Sequence, residues 1–97
     1  MSEIEEFIKR RFPNNSNWMD RNDFQFAAIL KSCFSGVIVF DPNERHFLFH
    51  NYIDQNYYDY SGKRNYTEEE ILEFLDWKTL PQNDMMLYKE LLRNYVL

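Results

Sequence analysis

At Ser35-Gly36 the chain changes its hydrophobic period, and that switch constrains the fold more than any other feature. Upstream, apolar residues recur at helical spacing. Downstream, Val37–Asp41, Arg45–His50 and Gln55–Tyr60 are short runs dense in Val, Ile, Phe, His and Tyr, separated by polar loops. Loops this short cannot hold the crossover helix that parallel strands need, so the runs pair antiparallel as a three-stranded meander. Together with the flanking helical patterns this predicts an α+β fold. A central helix packs on the three-stranded sheet, with one N-terminal helix and two C-terminal helices.

The helices carry their own start and stop signals. Ser2-x-x-Glu5 is a capping box, and Ile4, Phe7 and Ile8 follow it at helical spacing, so a helix is predicted over residues 3–11 with Phe12-Pro13 ending it. A polar loop, Asn14 to Asn17, leads to Trp18. Asn22 or Asp23 then caps a second helix that runs to Cys33 or Phe34. Phe26, Ala27, Leu30, Cys33 and Phe34 share one of its faces, which makes it the central helix and Cys33 a core residue. Thr67-x-x-Glu70 is a second capping box, opening a helix that carries Ile71, Leu72, Phe74 and Leu75 to about Trp77. Leu80-Pro81 breaks it, and a last helix is predicted from Asn83 to about Tyr95.

The second hairpin can be given a register. If Asn51 to Asp54 form its loop, His50 opposes Gln55, Leu48 opposes Tyr57 and His46 opposes Asp59. Directly opposed residues share a face, so an imidazole is expected beside a carboxylate. A slip of one residue would separate them.

Composition narrows the function classes. The 97 residues fit one domain over residues 1–97, with no repeat, Gly/Ser linker or long apolar run to divide them. A formal charge of -5 argues against direct nucleic-acid binding, which needs a concentrated basic face. Lys9-Arg10-Arg11 is the one basic cluster, and it falls where it complements a helix C-terminus. The acidic start Met-Ser-Glu-Ile-Glu-Glu lacks a basic n-region, no membrane association is expected, and a lone cysteine gives no disulfide framework, so cytoplasm is the expected location. High aromatic content (19%), few glycines and many asparagines point to an AT-rich coding genome, such as a low-GC bacterium or its phage.

Around Asp23 the residues take a recognisable order: Trp18, Asn22-Asp23-Phe24-Gln-Phe26-Ala27, His46-Phe47, then Tyr57-Tyr58-Asp59. Over about residues 18–62 this resembles a minimal papain-like cysteine hydrolase domain of the NlpC or transglutaminase-like kind. There an Asn-Cys-aromatic-x-Phe-Ala helix precedes strands bearing His and then Asp. The resemblance implies that Asp23, His46 and Asp59 occupy the positions of a catalytic triad whose nucleophile Cys is Asp23. In such a triad a thiolate at a helix N-terminus is favoured by the dipole and a neighbouring His, which a third polar group orients. A carboxylate cannot form the thioester intermediate, and Cys33 lies about three helical turns away from that position.

Other readings of these residues stay open. Asp is a common N-cap and a strand His often does no more than hydrogen-bond. Asp23, His46 and Asp59 meeting in one cleft would also offer two carboxylates and an imidazole to a metal, but no HxH or HxxxH pair with metal-ligand character supports this, since His50, four residues after His46 on a strand, sits too far along for a tight site. No metal or cofactor is therefore expected. The expected function is a non-catalytic papain-like domain acting by protein binding, as a phage or mobile-element regulator or inhibitor of a host defence complex. The alternative is a cysteine-type hydrolase or acyltransferase whose nucleophile at position 23 has been replaced. Trp18 and Tyr57 are the expected binding anchors, with Glu69 and Glu73 on the acidic Glu68–Asp76 stretch facing a basic partner.

Overall fold

The structure, a computed structural model, describes residues 2–12 and 22–96. Trp18 and its loop lie outside the described residues. Helix α1 (Glu3–Arg11) begins with both halves of the Ser2–Glu5 capping box formed, carries Glu3, Glu5 and Glu6 in its first turn and Lys9, Arg10 and Arg11 in its last, and buries Ile4 and Ile8. Helix α2 (Asp23–Cys33) buries Phe26, Ala27 and Leu30 against the sheet.

The architecture is α+β, as the sequence predicts, but the sheet has five antiparallel strands where three are predicted. They are β1 (Gly36–Asp41), β2 (His46–Asn51), β3 (Tyr57–Asp59), β4 (Gly62–Arg64) and β5 (Leu75–Asp76), in the order β4-β3-β2-β1-β5. The additional two are short edge strands. Strand β4 pairs with β3 through Asp59↔Gly62, where Gly62 has a φ of +108° that a side chain would strain. Strand β5 replaces the end of a predicted helix. Helix α3 (Glu68–Leu72) starts at the Thr67 capping box but stops five residues on, and Leu75 and Asp76 then pair with Phe40 and Val39. Two short helices, α4 (Leu80–Asn83) and α5 (Met85–Leu91), and a π-helical turn (Leu92–Val96) take the place of one continuous C-terminal helix. Asp84 separates them by capping α5, its carboxylate accepting from the Leu87 amide at 3.1 Å.

The second hairpin has the predicted loop length displaced by one residue. Asn51 completes β2: its amide donates to Asn56 carbonyl at 3.0 Å, while its side-chain Oδ1 accepts from the Ile53 and Asp54 amides. The loop is therefore 52–55, with Gln55 at φ +64°, and Phe49 opposes Tyr58. Displacing both arms by one shifts the pairing by two residues. Parity is kept and proximity is lost: His46 and Asp59 share a face, but Asp59 is carried level with Leu48.

The strands sort their side chains cleanly. Ile38, Phe40, Phe47, Phe49 and Tyr58 face α1, α2 and the C-terminal helices in the main core. Val37, Val39 and Leu48 face the other way under Tyr57, Tyr66 and Phe74. Cys33 is a correction to the sequence reading: it is exposed, while its neighbour Phe34 packs against the main core with Leu30.

Candidate functional site

Asp23 sits in the first turn of α2 with both carboxylate oxygens engaged. Oδ1 accepts from the Phe24 amide at 3.0 Å and Oδ2 from the Phe47 amide at 2.7 Å. Strand β3 pairs with β2 only at Phe49 and His50, so the amide of Phe47 meets a side chain in place of a strand. The carboxylate thus ties the start of the central helix to the start of β2. Burial raises its pKa above the ordinary aspartate value, opposed by the amides of Phe47 and Phe24 and by the nearby His46.

His46 opens β2 directly opposite Asp41, the last residue of β1. Its Nε2 stands 3.2 Å from Glu44 Oε2, 3.7 Å from Asp41 Oδ2 and 3.4 Å from the Tyr66 hydroxyl. The loop that delivers Glu44 is set by two devices. Asp41 Oδ1 accepts from the Asn43 amide at 2.9 Å, and Arg45 adopts a left-handed φ of 54°, sparsely populated for a residue with a side chain. Arg45 is held there by donating to the Tyr95 hydroxyl at 3.2 Å, and Asn43 reaches Glu73 Oε2 at 2.6 Å.

Asp59 has different neighbours. Its Oδ1 accepts from the Ser61 amide at 2.8 Å and from the Ser61 hydroxyl, and Oδ2 pairs with Arg64. Arg64 also reaches Glu44 Oε2 at 3.2 Å, so the chain of charges runs Asp59, Arg64, Glu44, His46, Asp41. Of the residues singled out in the sequence, Asp23 and His46 line one cleft of about 470 Å³ with Glu44, Arg45, Tyr60, Asn94 and Tyr95. Asp59 joins them only through Arg64 and Glu44. The carboxylate closest to the imidazole is Glu44, which the sequence reading did not single out. Glu44, Arg64 and Tyr66 lie on a loop, an edge strand and a covering segment, where no local period marks them.

The binding candidates are also placed. Tyr57 is half-buried, stacked on His50 with ring centroids 4.3 Å apart and meeting Tyr66 and Phe74 edge-on at 5.9 and 5.2 Å. Its ring packs against the second core and stays partly exposed. Glu69 and Glu73 are exposed, the first on α3 and the second at its C-terminal end. Leu72, 84% exposed, stands among them. No helix among the described residues is long and apolar enough to cross a membrane. Comparison with family models, with curated proteins and with solved structures finds no match.

Proposed function

We propose that this chain is a non-catalytic papain-like domain that acts by protein binding, as a regulator or inhibitor of the kind phages and mobile elements direct at a host defence complex. The observation that carries the non-catalytic half is the Asp23 carboxylate, whose two oxygens accept backbone amides from Phe24 and Phe47. A group so committed holds a helix to a strand. It is no nucleophile, and the sole thiol lies at the far end of α2, about 15 Å along the helix axis. The placement of Asp23 and His46 in one cleft supports the papain-like half of the reading.

The binding half rests on α3. Leu72 is exposed with Glu68 and Glu69 one turn before it and Glu73 beside it, an apolar side chain ringed by carboxylates. Such a surface suits a basic partner with an apolar pocket. Affinity capture from the source cell followed by mass spectrometry identifies that partner. Glu69→Lys with Glu73→Lys then slows association and flattens its salt dependence, while Leu72→Ser speeds dissociation. Association unchanged by the two charge reversals together with dissociation unchanged by Leu72→Ser would sink this surface. The alternative of an active hydrolase predicts turnover that needs His46.

A further inference from the structure

Between Asp41 and His46 the β1–β2 hairpin spells Asp-Pro-Asn-Glu-Arg-His, and its three ligand-type side chains converge. The pairing Asp41↔His46 puts the first and last on one face of the sheet, and the left-handed Arg45 turns Glu44 back over them. One atom from each, Asp41 Oδ2, Glu44 Oε2 and His46 Nε2, lies within 4.8 Å of the other two. We propose that this hairpin binds a divalent transition-metal cation, with zinc as the best fit, through those three atoms.

Geometry is the first support. Zinc holds nitrogen and oxygen ligands at about 2.1 Å, so two ligand atoms of a tetrahedral site stand about 3.4 Å apart. The imidazole nitrogen stands 3.2 Å from the Glu44 oxygen and 3.7 Å from the Asp41 oxygen, which straddles that value. The third separation, between the two carboxylate oxygens, is within 4.8 Å, so seating the ion draws Glu44 and Asp41 toward each other.

The second support is the Asp41 carboxylate itself. Its side chain is 3% exposed, and Oδ1 is satisfied by the Asn43 amide. Oδ2 faces the imidazole Nε2 at 3.7 Å, beyond hydrogen-bond reach, and since no buried polar side-chain atom among the described residues is left unsatisfied, this oxygen keeps contact with solvent. A carboxylate held almost wholly inside the fold, with one oxygen fixed and the other open beside an imidazole nitrogen, is an arrangement a cation completes. Charge agrees: Glu44 and Asp59 share the guanidinium of Arg64, while Asp41 faces the imidazole with no cationic Lys or Arg partner among the described residues. The Tyr66 hydroxyl, 3.4 Å from Nε2, stands where it can donate to a water in the fourth position. One imidazole with two carboxylates is a borderline-hard set that suits zinc and manganese over copper(I) or an iron–sulfur cluster. The site does not depend on the family reading, since it uses neither Asp23 nor a partner protein.

Titration calorimetry of the EDTA-treated full chain with zinc chloride, in a buffer that does not chelate, tests the proposal. One equivalent binds with micromolar affinity and raises the melting temperature. His46→Gln weakens binding by about tenfold or more, as loss of a ligand does, and His50→Gln leaves it unchanged. Glu44 lies on an exposed loop, so Glu44→Gln loses zinc affinity without loss of folding. Arg64→Gln removes a competing cation and tightens binding. X-ray absorption of the zinc complex shows one imidazole and oxygen ligands at about 2.0–2.2 Å and no sulfur, which excludes Cys33. No saturable binding, binding indifferent to both His46→Gln and Glu44→Gln, or a sulfur ligand would each overturn the assignment.

Discussion

On the helix side of the sheet, Phe40, Phe47, Phe49 and Tyr58 are each at most 1% exposed, beneath α1, α2 and the C-terminal helices. On the other side the buried apolar residues among those described are Val37, Val39 and Leu48, under Tyr57, Tyr66 and Phe74, and the same face ends in the buried carboxylates of Asp41 and Asp59 and in the part-exposed His46. One face is closed by hydrocarbon from end to end. The other changes, within two residues along β1 and β2, from aliphatic packing to a row of charges. Fully buried side chains carry most of the fold's stability, whereas a half-covered polar end is where ligand chemistry is affordable. Substitutions on the two faces should therefore separate stability from binding.

The largest effect is expected on the closed face. Phe47 touches Phe24, Phe40, Trp77 and Tyr95, and Phe47→Ala should cost about 3–5 kcal/mol in denaturant unfolding. A cost no greater than that of Glu44→Gln, a surface change expected within about 0.5 kcal/mol, would erase the contrast. Gly36 tests how tightly the sheet is closed: a Cβ there would collide with the His50 carbonyl and lie 2.6 Å from the Phe49 ring. Gly36→Ala should cost about 1–3 kcal/mol, and a neutral result would show that β1 has room to shift.

Asp23 belongs to the seam between the faces. Asp23→Ala leaves the buried Phe47 amide without its partner and should cost about 1–3 kcal/mol, with faster hydrogen exchange at Phe24 and Phe47. Unchanged exchange at Phe47 would remove the tie. The smallest effect belongs to His50, whose pKa burial pushes below the usual 6.5. As pH falls the unfolded chain takes that proton first, so its contribution is present above pH 6.5 and lost as pH drops toward the folded value. His50→Gln should flatten the stability profile just below that pH, and a profile identical to the parent would show that the imidazole titrates freely.

Much of this was legible in the sequence where the signal is local. The Ser2 and Thr67 capping boxes, α1, α2 and the first three strands follow from caps and periodicity over neighbouring residues. Strand β5 was not, because Leu75 continues the helical spacing of Ile71 and Leu72 and becomes a strand only by pairing with Phe40. Lys63 in β4 and Arg64 beside it are polar, so their strand is defined by Tyr57 and Tyr58 across from them. The hairpin moved because the Asn51 side chain caps the loop from the strand's end, a choice the loop's length does not determine. Asp23 and His46 were singled out from residue order, and they line one cleft. Glu44 was missed because its proximity to His46 depends on the left-handed turn at Arg45.

The claim that position 23 holds structure and performs no chemistry is tested most directly by one experiment. The native chain and its Cys33→Ser, His46→Ala and Asp23→Ala variants are incubated with peptide, ester and γ-glutamyl amide substrates and with an electrophilic thiol probe, read by intact mass. Cys33 is exposed, so the probe should add once to the native chain, at Cys33, and not at all to Cys33→Ser, and no substrate should turn over. Turnover by the native chain that survives Cys33→Ser but disappears in both His46→Ala and Asp23→Ala, with folding intact, would contradict the account.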